Sequence, residues 1–291
     1  MKALIFGAGG QTAHYLAEIC RENGLDTVSA SRSGGQIRAD VGDREQVDAI
    51  VRLHSPAFVF HLAAASTTRH EALFENHRTI STGTLNVLES VRLHAPRAKV
   101  FLTGSGVQFV NRGEPISETD AFEPSSPYAV SRQDSVQAGR YFRSLGLRVY
   151  VGYLFHHESP LRSAGHVSQM IASAVRCIAA GSRERLLVGD PAVEKEWTFA
   201  GDVARAIFLL VMQELVSEAA IGSGKAYSIE AWIEACFALA GLDWRAHVDV
   251  RPDFVAEYRR LVSNPSTIRS LGWEPRVSFG DLAQMMVRGI A

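Results

Sequence analysis

An α/β fold with a doubly wound parallel sheet and a smaller carboxyl-terminal α/β lobe is what this sequence predicts, on three observations. A short apolar run at residues 3–7 ends in Gly7-Ala8-Gly9-Gly10, and a helix-period pattern through Tyr15, Leu16, Ile19 and Cys20 follows it. Apolar runs and helical patterns then keep alternating as far as Phe155. Such alternation implies parallel strands covered by helices on both faces, with ligand sites at the carboxyl ends of the strands. Beyond Phe155 the rhythm loosens, which marks the lobe.

The elements follow in order. A second apolar run at residues 27–30 leads into Ser31-Arg32-Ser33-Gly34-Gly35, and an acidic helical stretch runs from Asp43 to His54. Buried strands are predicted at 58–62, 99–103 and 147–155, with a long helix at about 73–93 between the first two. Ser126-Pro127 opens a helix at Tyr128, since proline suits a first helical position. A helix at 167–180 and strands at 186–188 and 197–199 come next, followed by a helix capped by Asp202 and another capped by Ser228. The tail at 264–275 predicts a short helix closed by Gly272. The expected division is a dinucleotide-binding domain of residues 1–160 plus about 196–222, and a substrate lobe of about 161–195 plus 223–291.

At 291 residues, 46% hydrophobic and 21% charged, the chain is long and apolar enough for a full core. A net charge of −1 supplies no field for nucleic acid or an anionic membrane, so any phosphate must be gripped locally. No apolar run approaches membrane-spanning length, and a cytoplasmic location is expected. Cys20, Cys177 and Cys236 are widely spaced within apolar helical patterns, which predicts reduced core thiols and no metal site.

Gly7-x-x-Gly10-x-x-Ala13, between a strand and a helix, is the context in which backbone amides approach a pyrophosphate. It is also what any tight turn of small residues looks like. At the end of the next strand stand Ser31 and Arg32, where sites for NAD often place a carboxylate, and a guanidinium there suits a ribose 2′-phosphate. The cofactor expected is NADP rather than NAD, although an arginine in a glycine-serine loop is also an ordinary solvated residue. Tyr128 and Arg132 lie one helical turn apart on one face, and a cation held beside a phenol favours its phenolate. Ser105 ends a strand in a Gly-Ser-Gly turn, and His156 and His157 follow another strand. His61 suits a satisfied core histidine, Glu118 and Asp120 solvated loop charges, and Lys195 between Glu194 and Glu196 a surface ion pair.

With the glycine turn, His61-Leu62-Ala63-Ala64, Ser105 and Tyr128 in this order, the sequence resembles the extended short-chain dehydrogenase/reductase superfamily of nucleotide-sugar enzymes, which are built on a Rossmann sheet. Gly10-Gln11 with Tyr15-Leu16-Ala17-Glu18, residues 154–160, Arg251-Pro252 and Leu271-Gly272-Trp273-Glu274-Pro275 look like its GDP-mannose 4,6-dehydratase and GDP-4-keto-6-deoxy-mannose reductase branch. The resemblance implies that Tyr128 exchanges the proton, that Ser105 hydrogen-bonds the same oxygen and that Arg132 stands in the place of a lysine. It also implies that Gly7, Gly10, Gln11, Thr12, Ser31, Arg32, Asp40, Val41, Leu62, Ala63, Ala64, Tyr128 and Arg132 hold the cofactor. Ser105, His156, Arg162, Lys195 and Arg251 would meet a nucleoside-diphosphate sugar, and the chain would pair as a homodimer through a four-helix bundle.

The departures from that pattern are specific. Arg132 replaces the lysine, Val107 replaces the glutamate that moves a proton during water elimination, and Ile80 and His156 each replace an asparagine. Phe254 stands where a glutamate is usual and Met170 where a lysine often is. The function expected is therefore an NADP-dependent reductase of a 4-keto, GDP-linked sugar. The alternatives are a nucleotide-sugar epimerase with retained cofactor, and a non-catalytic binding homologue in which Arg132, Ile80 and His156 record lost catalysis.

Overall fold

The fold is described from a computed structural model, over residues 1–289. In chain order the first half runs β1 (Lys2–Phe6), α1 (Gln11–Glu22), β2 (Asp26–Ser31), β3 (Ile37–Arg38), α2 (Arg44–His54), β4 (Phe58–His61), α3 (Leu73–Asn76), α4 (Gly83–His94), β5 (Lys99–Ser105), α5 (Pro127–Ser144) and β6 (Arg148–Leu154). The second half runs β7 (His157–Glu158), α6 (Val167–Ala179), β8 (Leu186–Val188), β9 (Glu194–Glu196), β10 (Thr198–Phe199), α7 (Ala200–Val211), β11 (Glu218–Ile221), β12 (Ala226–Ser228), α8 (Ile229–Ala238), β13 (Val248–Val250), β14 (Arg260–Leu261), α9 (Ser266–Ser270) and α10 (Phe279–Arg288).

Seven strands form one parallel sheet in the order β11-β6-β5-β4-β1-β2-β3. The predicted doubly wound sheet is present, extended by β3 and β11 at its two edges. Period-two geometry sends alternate strand residues to opposite layers. Leu4, Phe6, Val100 and Leu102 pack with Val47, Val51, Val87, Val91 and Val136 of α2, α4 and α5. Ala3, Ile5, Phe60 and Phe101 pack on the other face with Leu16 and Cys20 of α1 and Val203, Ile207 and Leu210 of α7. A third cluster joins α6, α8 and α10 around Trp197 and Trp232, whose rings stack 4.3 Å apart. Ile268 and Trp273 pack with the α1–α7 layer, so the tail returns to the sheet before α10 joins the lobe.

Strand order reverses between β1 and β4, since the chain leaves β1 toward β2 and later crosses to β4 on the other side. Crevices open at such switch points, at the carboxyl ends of the strands. Gly7 and residues 62–64 lie there.

Several local expectations are corrected. The helix expected at 73–93 is broken into α3, a wide π turn at His77–Thr82 and α4. Asp202 is not a cap: α7 starts at Ala200, and the Asp202 carboxylate accepts from the Arg276 and Val277 amides at 2.8 and 3.0 Å, tying the tail to α7. Cys177 is exposed, whereas Cys20 and Cys236 are buried. Glu118 is not a free loop charge, because it accepts from the Ala220 amide and the Thr267 hydroxyl. Among the described residues, no helix is long and apolar enough to cross a membrane.

Candidate active site

The glycine turn at the switch point fits a bound dinucleotide. Gly7 has φ +93°, and a Cβ there would lie 2.6 Å from the Ala63 amide nitrogen, so only glycine lets β1 and the 62–64 segment approach this closely. On one side a compartment of about 380 Å³ is lined by Gly7, Gly10, Gln11, Ser31, Arg32, Asp40, Val41, Leu62, Ala63 and Ala64. On the other a cleft of about 670 Å³ is lined by Thr12, Ser105, Tyr128, Arg132, His156, Arg162, Lys195 and Arg251. All the site residues expected from sequence thus line at least one of two adjoining spaces, which share Gly7, Gly10, Gln11, Leu62, Ser66, Arg162 and His166.

Ser105 ends β5, and its amide donates to Gln108 Oε1 at 2.8 Å, which fixes the tight turn after the strand. Ser126 caps α5 by accepting from the Ala129 amide at 3.1 Å, with Pro127 at the first position, so Tyr128 projects from the first turn. Arg132 is 2% exposed. Its Nη1 donates to the Thr103 carbonyl at 2.7 Å, and the guanidinium carbon lies 5.0 Å from the Tyr128 ring centroid. The cation beside the phenol is therefore pressed on the ring face and anchored to β5, two contacts that the planar, multiply donating guanidinium makes at once.

The far wall of the cleft is a charge cluster. Glu158, 1% exposed, accepts from Ser168 Oγ at 2.7 Å and faces Arg162 at 3.4 Å and Lys195 at 3.9 Å. Lys195 is corrected from a surface residue to a buried one, its ammonium lying 4.6 Å from the Trp197 ring centroid. Burial pushes the Lys195 ammonium below its usual range, opposed by Glu158. Burial, with Lys195 and Arg162 nearby, holds His156 well below the usual histidine range, and burial and Arg162 lower His166. Two cations against one carboxylate leave this wall positive, with Arg251 added at the rim, which favours a diphosphate.

His157 lines the cleft and is tied to the glycine-turn helix. Its Nδ1 lies 2.8 Å from the Phe155 carbonyl, which can only accept, so Nδ1 carries the proton and Nε2 accepts from Thr12 Oγ1 at 2.8 Å. Gln11 donates to the His157 carbonyl at 2.9 Å and accepts from Ser159 Oγ at 2.7 Å. Gln11 and Thr12 therefore bolt the glycine-turn helix to the loop after β6. Burial, with Arg162 second, lowers His157 to about 4. The unfolded chain takes up this proton first, so the stabilisation is complete above about pH 6.5 and is lost as pH falls toward 4. Urea midpoints measured from pH 7 to pH 4.5 should fall less steeply for His157→Gln than for the wild type; identical slopes would contradict this role.

His61 is buried as expected but not satisfied, since neither ring nitrogen closes a hydrogen bond. It faces the carbonyls of Thr79 and Ile80 in the π turn, and burial lowers it to about 3. Sequence reasoning missed Gln108, fully buried behind Ser105, and Tyr258, whose hydroxyl lies 3.1 Å from His156 Nε2. Ser105-Gly106-Val107-Gln108 has the S-x-x-Q spacing of a capping box, a local signal that could have found Gln108, whereas Tyr258 reaches His156 through a contact across 102 positions that no local spacing encodes. Among the described residues, no group of three or more His, Cys, Asp or Glu is placed to hold a metal ion.

Known proteins of this shape and sequence include an NADPH complex of RMD from Pseudomonas aeruginosa, with TM-score 0.86 and 20% identity, covering 99% of this chain and 98% of that one. UDP-glucose 4-epimerase of Thermotoga maritima superposes with TM-score 0.87 at 22% identity, over 99% and 98% of the two chains. At such identities these likenesses establish the fold. By sequence, GDP-mannose 4,6 dehydratase 1 of Arabidopsis thaliana is 29% identical over 318 residues, covering 98% of this chain and 88% of that protein. GDP-mannose 4,6-dehydratase of Yersinia enterocolitica is 27% identical over 99% of this chain and 93% of its own length. A family model described as GDP-mannose 4,6 dehydratase matches residues 4–286. The chain belongs to the GDP-mannose 4,6 dehydratase family, within the extended short-chain dehydrogenase/reductase enzymes that modify nucleotide sugars.

Proposed function

We propose that the protein is an NADP-dependent reductase of a 4-keto nucleoside-diphosphate sugar, with a GDP-linked 4-keto-6-deoxy sugar as substrate. The observation that carries this reading is Val107. It lines the cleft beside Ser105 and Tyr128 and packs against the apolar core, where water elimination would need a proton-transferring carboxylate. The three carboxylates that line the cleft each already have a partner: Glu158 faces Arg162 and Lys195, Asp190 lies 3.4 Å from Arg259, and Glu257 accepts from the Thr68 hydroxyl. Reduction needs none of them.

The chain's own residues supply the rest of the chemistry. NADPH, when bound, would supply the hydride that reduces the ketone. Tyr128 gives its proton to the developing alkoxide, and Ser105 hydrogen-bonds the same oxygen. Arg132 keeps a positive charge against the Tyr128 ring as that proton leaves. Arg162, Lys195 and Arg251 hold the diphosphate, and His156, kept neutral by burial, offers a hydrogen bond rather than a charge. Ser31 and Arg32 receive the adenosine end and its 2′-phosphate.

In the same reading, residues 1–160 plus about 196–222 form the dinucleotide-binding domain, and about 161–195 plus 223–291 the substrate lobe of a cytoplasmic enzyme. The enzyme is a homodimer through α4 and α5, which expose Leu85, Leu93, Val130 and Tyr141. Mixing the protein with NADPH and GDP-4-keto-6-deoxy-mannose should consume reduced-nicotinamide absorbance. Absence of consumption with any 4-keto nucleotide sugar, despite tight NADPH binding, would sink the reading. Conversion of GDP-mannose itself to the 4-keto sugar would restore a dehydratase.

A further inference from the structure

Arg32, at the end of β2, does not stand free in the adenosine-side compartment. Its Nη2 lies 2.6 Å from Oε1 of Glu75, on α3. The same carboxylate oxygen accepts from Thr79 Oγ1 at 3.2 Å. Arg32 and Thr79 both line the compartment, so Glu75 takes up two of its donors at once. The second cation at this end, Arg78, is likewise engaged, lying 2.9 Å from Asp40 Oδ2. Two cations and two carboxylates thus balance locally, and a dianionic phosphate arriving beside Arg32 meets Glu75 already in place.

We infer that Glu75 moderates the protein's preference for the phosphorylated over the unphosphorylated dinucleotide, by competing with the ribose 2′-phosphate for the Arg32 guanidinium. This rests on the reading of Arg32 as the 2′-phosphate contact. The physical argument is one of exchange. Arg32 and Glu75 are 54% and 37% exposed, so their pair is an accessible one of modest strength that a phosphate can displace. Displacement leaves a carboxylate near the phosphate, and that repulsion falls on NADPH and not on NADH, whose 2′-hydroxyl is neutral. Glu75 therefore moderates a preference that Arg32 creates.

The test is direct titration of NADPH and NADH into the purified protein at low ionic strength, read as dissociation constants. Glu75→Gln should tighten NADPH by about two- to fivefold and leave NADH within experimental error, and the gain should shrink in high salt. Glu75→Ala, which offers no acceptor, should shift the ratio in the same direction. Arg32→Ala should weaken NADPH by about tenfold while sparing NADH. If Arg32→Ala lowers the ratio but neither Glu75 variant raises it, the role of Glu75 is overturned and the NADP reading stands. If Arg32→Ala leaves the ratio unchanged, both fall together.

Discussion

Tyr128→Phe is expected to lower the turnover for ketone reduction by about 10²–10⁴-fold, the usual worth of a positioned acid, while NADPH affinity stays within about twofold. The substitution removes one oxygen and little else. Phenylalanine keeps the ring on which Arg132 lies and leaves the Ser126 cap and Pro127 start of α5 untouched. Single-turnover rates and a separate NADPH titration distinguish lost chemistry from lost binding. Near-normal turnover in this variant would mean that another group delivers the proton and that the site is wrongly centred.

Arg132→Lys is expected to lower turnover about 10- to 100-fold, although lysine is the residue usual at this position in the wider superfamily. The guanidinium here does two things at once, stacking on Tyr128 and donating to the Thr103 carbonyl, and it does so at 2% exposure. Lysine offers no plane to stack and a compact ammonium that must choose between the carbonyl and the ring. A charged hydrogen bond of this kind is worth about 1.5–3 kcal/mol, so a lower melting temperature should accompany the slower turnover. Faster turnover in Arg132→Lys would show instead that the surrounding site still fits an ammonium and that arginine impairs it.

Much of this was legible in the sequence because it is written in local patterns. The glycine turn, the strands at β1, β4, β5 and β6, the Ser126-Pro127 helix start and the Ser228 cap all follow from composition at fixed spacing. The missed strands, β3, β7, β9, β11, β12, β13 and β14, are each only two to four residues long. β3 is two residues long, and β11 is a four-residue edge strand starting at Glu218, too short to show a period. Lys195 lies in a Glu-Lys-Glu run that looks solvated, and only the fold buries it between Glu158 and Trp197. The contacts of Thr12 with His157 and of His156 with Tyr258 join residues 145 and 102 positions apart, which no spacing rule reaches. Arg32 was visible as a cation, but its partner Glu75 is set by where α3 docks.

In the proposed reaction, hydride passes from NADPH to a 4-keto sugar and stays there. Incubating the protein with GDP-4-keto-6-deoxy-mannose and NADPH deuterated at the transferring position, then taking the mass of the nucleotide sugar, tests it in one spectrum. Reduction of the ketone with one deuterium retained in the product is the expected result. A nucleotide sugar of unchanged mass, or GDP-mannose losing water in the same preparation with no deuterium gained, would contradict it.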